Sequence, residues 1–118
     1  MTQISNDFQG QTVICTFEVT PGSAHDVLDA LSEAYDRVIR HQPGYVSGAV
    51  HLNDAQTRIA TYSQWRDRRD YQAMLRSPEM RERNRAINAM CRHFEPVMYE
   101  VIGTCLLYTS PSPRDKRQ

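Results

Sequence analysis

The sequence lacks most of the features that mark a specialised class of protein. Its 118 residues include only five glycines and three cysteines, and they contain no apolar run of the roughly 18 residues that a membrane-spanning helix needs. The first residues carry neither a basic nor an apolar stretch, so we expect no signal peptide. The cysteines are odd in number and far apart, which favours reduced thiols in a cytoplasmic protein over a disulfide framework.

The sequence also has no excess of positive or negative charge. The formal net charge is zero, which gives no reason to expect a nucleic-acid or anionic-membrane surface. Lysine occurs once, at Lys116, in a segment rich in serine and proline that has no apolar period. Residues 105–118 resemble a translated adapter sequence or a disordered tail, and residues 1–10 resemble a loose lead-in. We therefore expect one folded domain over residues 11–104.

Motifs for metals, phosphates and activated nucleophiles are missing as well. The four histidines stand alone in the sequence, with no HExxH, HxH or CxxC spacing, so we expect no metal site. No glycine-rich loop is present to cradle a nucleotide or a flavin, and we expect no such cofactor. A Gly-x-Ser-x-Gly elbow is absent too, which argues against a serine hydrolase.

Strand-like and helix-like periods do alternate along the chain. The predicted strands cover residues 11–19, 45–52, 58–65 and 97–102. The predicted helices follow Ser23, Asp67 and Ser77 as N-caps. The first has an apolar stripe that runs to Ile39 and is ended by residues 41–44 (HQPG), and the third ends at Pro96. This order predicts an α+β, ferredoxin-like split βαβ fold, with one antiparallel sheet and helices on one face.

A sheet covered on one side leaves its other face open. That open face is predicted to carry Ile14, Tyr45, Ala49, Tyr62, Met98 and Ile102. Together these side chains are too apolar to face water. We therefore expect a homodimer in which two such sheets pack face to face.

The covered face is predicted to hold a cleft around Trp65, the only tryptophan. Its expected lining is Phe17, Leu31, Tyr35, Val46, Val50, Thr61, Trp65, Tyr71, Met74, Ile87 and Phe94, with Ser63 and either Arg81 or Arg85 as further polar candidates. A mostly apolar pocket with a few hydrogen-bonding groups suits a flat, hydrophobic, phenolic ligand. The spacing alone leaves open that these residues fill an ordinary core.

Four stretches carry a resemblance to a known family. They are residues 17–22 (FEVTPG), 40–51 (RHQPGYVSGAVH), 57–65 (TRIATYSQW) and 94–102 (FEPVMYEVI). In this order and spacing they resemble the antibiotic biosynthesis monooxygenase family. The resemblance implies a ferredoxin-like dimer whose two sheets form an α/β barrel. It also implies oxidation of an anthrone-like aromatic polyketide or a quinol by molecular oxygen, without a metal, flavin or haem.

The resemblance also implies roles for individual residues. Trp65 matches a pocket tryptophan, Tyr71 is similar to a pocket tyrosine, and Arg85 (or Arg81) to a pocket arginine, while Thr61 stands where the family usually has asparagine. These four are the predicted catalytic residues. The predicted substrate-binding residues are Tyr35, Phe17, Val50, Ser63, Met74, Ile87 and Phe94. The alternatives are a non-catalytic dimeric binding or accessory protein and a polyketide cyclase-like protein of the same fold.

Overall fold

The structure is a computed structural model that describes residues 9–104. Its elements are β1 (Gln11–Glu18), α1 (Ala24–Arg37), a 3-10 turn (Ile39–His41), β2 (Tyr45–Leu52), β3 (Arg58–Trp65), α2 (Arg68–Arg76), α3 (Pro78–Met90) and β4 (His93–Tyr99). The predicted tail at 105–118 and most of the predicted lead-in lie outside the described residues. In the described part of the chain, no helix is long and apolar enough to cross a membrane.

The four strands form one antiparallel sheet in the order β2-β3-β1-β4. This arrangement confirms the predicted α+β, ferredoxin-like fold class. The hairpin between β2 and β3 is closed by Asn53, whose side-chain oxygen accepts from the backbone N–H groups of Thr57 and Arg58, both at 2.9 Å. Such an Asn-closed turn fixes the register of the strand that carries the predicted site.

The helix starts follow from short polar side chains. Asp67 accepts from the Arg69 N–H at 3.0 Å, and Ser77 accepts from the Met80 N–H at 3.3 Å. Both are N-caps, as predicted. Ser23 is also the N-cap residue, but the prediction that its side chain caps the helix is wrong. Its hydroxyl contacts the Thr20 hydroxyl at 3.1 Å and makes no hydrogen bond to the first turn of α1.

The last helix ends earlier than predicted, and the last strand both begins and ends earlier than predicted. Helix α3 ends at Met90, and β4 runs from His93 to Tyr99 with Pro96 in its middle. Since β4 is an edge strand, the missing N–H of Pro96 need not interrupt the ladder. Phe94 therefore lies on a strand directly opposite Phe17, with ring centroids 4.8 Å apart.

Strand β2 contains a bulge that the alternating pattern does not reveal. Tyr45 is opposite Trp65 and Ser47 is opposite Gln64, so Val46 is the extra residue. The bulge turns Tyr45 towards the helices, where its ring contacts Trp65 and Tyr35. Val46 is 46% exposed. The predictions that Tyr45 lies on the open face and Val46 lines the cleft are both wrong.

The composition of the open face differs from the prediction at β4. Met98 lies opposite Val13, so it shares the face that the helices cover, and Val97 takes its place on the open face. Ile102 follows the end of β4 and is 80% exposed. The open face carries Ile14, Ala49, Tyr62, Val97 and Tyr99.

The core lies between the helices and the covered face of the sheet. One half is built around Phe17 and Ile59, against Val27 and Leu31 of α1 and Ile87 of α3. The other half surrounds Trp65 and includes the neighbouring ends of α1, α2 and α3. The predicted cleft opens between these two halves.

Candidate active site

A cavity of about 130 Å³ lies between the covered face of the sheet and the three helices. Its lining residues are Cys15, Phe17, Leu31, Tyr35, Ile39, Thr61, Ser63, Trp65, Tyr71, Met74, Leu75, Met80, Asn84, Asn88, Phe94 and Pro96. The volume is smaller than the roughly 300 Å³ at which pockets for drug-sized ligands begin. A polycyclic ligand therefore requires movement of lining side chains, whereas a compact ring requires little.

Most of the predicted site residues meet at this cavity. Of the predicted catalytic set, Trp65, Thr61 and Tyr71 line it. So do five of the predicted binding residues: Tyr35, Phe17, Ser63, Met74 and Phe94. The alternation of β3 explains this, because Ile59, Thr61, Ser63 and Trp65 share its covered face.

Three predicted residues lie elsewhere. Arg85 points outward on α3 and pairs with Glu82, and its side chain is 68% exposed. Ile87 is buried in the half of the core around Phe17. Val50 lines a shallow surface groove that shares Tyr35 with the cavity. The alternative arginine, Arg81, is also exposed.

Trp65 forms one wall of the cavity and is fully buried. Its indole N–H donates to the Ser63 hydroxyl at 3.1 Å. The ring makes edge contacts with Tyr45 and Tyr71, at centroid distances of 5.4 and 5.8 Å. Because the N–H is already satisfied, Trp65 offers a ligand its ring rather than a hydrogen bond.

A connected group of hydroxyls and one thiol forms the polar wall of the cavity. Side-chain hydrogen bonding by Thr61 and Tyr71 lowers the pKa of the Cys15 thiol, and side-chain hydrogen bonding by Thr61 and Ser63 acts in the same direction on the pKa of the Tyr35 phenol. Cys15 is directly opposite Thr61 across the β1–β3 ladder. Cys15 was not among the predicted site residues, although its place on the same strand face as Phe17 could have revealed it.

Burial determines the protonation of this wall. Loss of solvent raises the pKa of Tyr35 to about 12 and raises the pKa of Tyr71 further in the same direction. The same desolvation raises the pKa of the Cys15 thiol, although the Thr61 and Tyr71 hydroxyls act against it. All three groups therefore remain protonated near neutral pH, and they can donate hydrogen bonds but cannot act as bases.

Helix α3 contributes amides that the sequence analysis also missed. Asn84 and Asn88 line the cavity, and Asn84 is half-buried. Among the lining residues that the structure describes, there is no histidine, carboxylate, lysine or arginine. Across residues 9–104, no three His, Cys, Asp or Glu side chains cluster closely enough to hold a metal ion.

The chain matches a known protein family and is similar to one of the curated proteins. Residues 11–86 match the family model described as antibiotic biosynthesis monooxygenase. The chain is similar to tetracenomycin-F1 monooxygenase of Streptomyces glaucescens, with 33% identity over 69 residues. That match covers 58% of this chain and 62% of the relative, so it spans less than two thirds of the relative's length.

Solved structures share the fold. A monooxygenase from the gene ActVA-Orf6 of Streptomyces coelicolor, in complex with nanaomycin D, superposes with a TM-score of 0.75 at 22% identity, covering 84% of this chain and 93% of that chain. SnoaB of Streptomyces nogalater, a cofactor-independent oxygenase, gives a TM-score of 0.61 at 18% identity, covering 87% and 98%. At these identities the likeness extends to the fold alone.

Proposed function

This chain belongs to the antibiotic biosynthesis monooxygenase family, as its sequence pattern predicted, and on that premise we propose that it is a cofactor-independent monooxygenase. Its proposed substrate is an anthrone-like aromatic polyketide or a quinol, and its co-substrate is molecular oxygen. The observation that carries the proposal is the cavity, whose lining combines apolar side chains around Trp65 with hydroxyl groups that remain protonated. Such a site suits a flat ring that carries oxygen atoms.

The chemistry resides in the substrate. Loss of a proton from the ring CH₂ of an anthrone leaves a carbanion whose charge is shared with the ring oxygen. That anion transfers one electron to O₂, and recombination of the two radicals forms a C–O bond and, with a proton, a hydroperoxide. Cleavage of the O–O bond with loss of water leaves a carbonyl, so CH₂ and O₂ become C=O and H₂O.

The protein's part is to orient the ring, exclude water and favour the anion. In the proposed roles, Trp65 packs against the ring, while the hydroxyls of Thr61, Tyr71 and Tyr35 donate to its oxygens. One donor aimed at a developing oxyanion contributes on the order of 3 kcal/mol to the transition state. The raised pKa values of Tyr35 and Tyr71 support these roles, because both phenols keep the proton that they must donate.

The lining residues also indicate which group accepts the proton that the substrate loses. Among the described lining residues, none has an ordinary pKa that would make it a base near pH 7. We therefore propose that the substrate ionises through solvent and that the cavity stabilises the anion. The rate should rise with pH until the substrate itself is ionised, and the pKa on the rate profile should follow the substrate when the substrate is changed.

The first experiment uses purified, exhaustively chelated protein with two substrates of different size, anthrone and naphthalene-1,4-diol. Oxygen uptake and formation of the quinone are measured together against the spontaneous reaction. Anthrone, which has the CH₂ that is oxygenated, should give water as the second product, whereas the diol only loses two electrons and two protons to O₂ and should give hydrogen peroxide. The cavity volume leads us to expect a lower KM for the two-ring substrate, since less rearrangement is required. No acceleration of either substrate, or activity that disappears on chelation and returns with metal, would refute the proposal.

We also propose a homodimer that packs sheet on sheet. Val97 and Tyr99 on the open face are 37% and 46% exposed. Beside them, the Tyr62 hydroxyl, Thr12 Oγ1 and Gln64 Nε2 are buried without a hydrogen-bond partner in the described part of the chain. A second copy would cover the apolar side chains, and a stable interface requires roughly 1,000 Å² or more in total. Sedimentation should give twice the chain mass, whereas a folded monomer at micromolar concentration would contradict the model.

One observation favours a different function. Thr61 offers a single short hydroxyl where the family usually carries an asparagine amide, which has two donors. The alternative is therefore a non-catalytic binding or accessory protein, or a polyketide cyclase-like protein. Either would bind an aromatic ligand without taking up oxygen. If the oxygenase proposal holds, Thr61→Asn should preserve or raise turnover of anthrone, whereas a binding protein should gain no oxygen uptake from that change.

A further inference from the structure

Asn84 occupies an inward position of α3 that the fold does not use for hydrogen bonding. It lies four residues after Met80 and three before Ile87, both of which are nearly fully buried. Residues at these spacings share one face of a helix. Asn84 therefore belongs to the stripe that packs towards the sheet, where an apolar residue is the usual choice.

The side chain of Asn84 makes no hydrogen bond within residues 9–104, yet it lines the cavity and is half-buried. Some other amides in the described chain are engaged, although Gln64 Nε2 and Asn88 are not. The Gln42 amide donates to the Val38 carbonyl at 3.2 Å, and the Asn53 amide closes the β2–β3 turn. An amide that faces a cavity without a partner is free to bind a ligand, and burying it unpaired would be unfavourable.

Asn84 also stands apart from the polar wall. Cys15 and Thr61 lie opposite each other on β1 and β3, and Tyr71 of α2 also acts on the Cys15 thiol. Asn84 reaches the cavity from α3, in the helical layer. Besides the strand residues and the tyrosines of α1 and α2, α3 therefore contributes a hydrogen-bonding group of its own to the lining, which also includes apolar side chains such as Phe94 and Met74.

We propose that Asn84 donates its side-chain N–H to a second oxygen of the ligand, so that the site selects ring systems oxygenated at two opposite positions. This inference rests on the proposed function, because the ligand is taken to be the substrate or product of that reaction. Donation rather than acceptance follows from the chemistry, since ring oxygens carry negative charge in the anion and are carbonyls in the product. The para-quinone and para-quinol class meets this requirement.

The test measures binding of two air-stable probes through the fluorescence of Trp65, which is the sole tryptophan and lines the cavity. One probe is 2,3-dimethyl-1,4-naphthoquinone, which has two opposed carbonyls and a blocked ring that resists thiol addition. The other is 1-tetralone, which has one carbonyl. The wild type should prefer the quinone, and Asn84→Leu should weaken quinone binding about fivefold to tenfold, the scale of one neutral hydrogen bond. Binding of the tetralone should change by less than about twofold.

Two further variants determine how the result is interpreted. Asn84→Asp is nearly isosteric but cannot donate when ionised, so it should weaken quinone binding at least as much as Asn84→Leu. Ala86→Leu adds the same leucine to the exposed side of α3 and should leave both affinities unchanged. Melting of each variant identifies any loss of fold. An unchanged quinone-to-tetralone ratio in Asn84→Leu, or full quinone affinity in Asn84→Asp, would overturn the inference.

This result is separable from that of the proposed function. Oxygen uptake with anthrone is measured on the same wild-type preparation. If the wild type takes up oxygen and Asn84→Leu binds the quinone as well as the wild type does, only the inference about Asn84 is refuted. If the wild type takes up no oxygen but still prefers the quinone in a way that depends on Asn84, the oxygenase proposal is refuted. Asn84 is then supported as a binding residue for the same ligand class.

Discussion

Tyr71→Phe tests the candidate site most directly, because it removes one oxygen atom and keeps the packing. The Tyr71 ring is nearly buried, at 6% exposure, and its contact with Trp65 does not involve the hydroxyl. Among the described residues, the side-chain hydrogen bonding that acts on the pKa of this hydroxyl involves the weak acceptor Cys15. The free energy of unfolding should therefore fall by no more than about 1 kcal/mol. For a domain of this size, such a loss lowers Tm by roughly 4–8 °C.

The effect of Tyr71→Phe on the rate should be much larger than its effect on stability. A hydrogen bond to a charged oxygen contributes about 1.5–3 kcal/mol. At 1.36 kcal/mol per factor of ten, its loss lowers kcat by roughly tenfold to a hundredfold. The assay is oxygen uptake with anthrone, below the Tm of both proteins. The change should fall on kcat more than on KM, because the charge develops in the transition state.

Tyr62→Phe is the matched control for this prediction. Tyr62 also carries a buried hydroxyl, but it lies on the open face of β3, away from the cavity, and that hydroxyl makes no hydrogen bond within residues 9–104. Removing it should leave turnover unchanged and stability unchanged or slightly higher. Equal turnover in wild type and Tyr71→Phe, or equal losses in Tyr71→Phe and Tyr62→Phe, would refute the assignment of Tyr71 as a donor to the substrate.

Three further predictions concern the walls of the cavity. Trp65→Ala should lower the free energy of unfolding by roughly 3–5 kcal/mol, measured by denaturant titration, and should abolish turnover; a stable, active variant would contradict its role as a wall. Gly48→Ala should lower turnover and Tm, because its Cβ would lie 2.9 Å from Tyr35 Cε1 and 3.2 Å from the Tyr62 carbonyl oxygen; unchanged values would contradict the tight approach. The raised pKa of Tyr35, about 12, should make stability fall as pH rises from about 10 to about 12, since the unfolded phenol ionises first. Tyr35→Phe should flatten that fall in an alkaline melting series, and an unchanged slope would contradict the burial of the phenol.

Features that depend on a few neighbouring residues were predictable from the sequence. The cap at Asp67, the Ser77-Pro78 helix start and the bounds of β2 and β3 all follow from local chemistry. The strand period then assigns Thr61, Ser63 and Trp65 to one face without any knowledge of tertiary contacts. The sheet side of the candidate site was therefore largely predictable.

The errors arose where tertiary context overrides local pattern. The bulge at Val46 reverses the orientation of Tyr45, and only the pairing with β3 determines it. Pro96 was taken as the end of a helix, yet it lies within β4, where an edge position tolerates its missing N–H. Neither outcome can be recognised until the neighbours of each strand are known.

The helix side of the site shows the same limit at the scale of a single residue. Asn84 and Arg85 are adjacent, and successive helical residues point about 100° apart. Met80 and Ile87 turn Asn84 towards the cavity, and Arg85 is left beside Glu82 in solvent. Within the described lining no carboxylate is present to pair with a guanidinium, so an inward Arg85 would be a buried, unpaired charge. An amide can face the same apolar space at far lower desolvation cost, which is why the polar group on this side of the cavity is neutral.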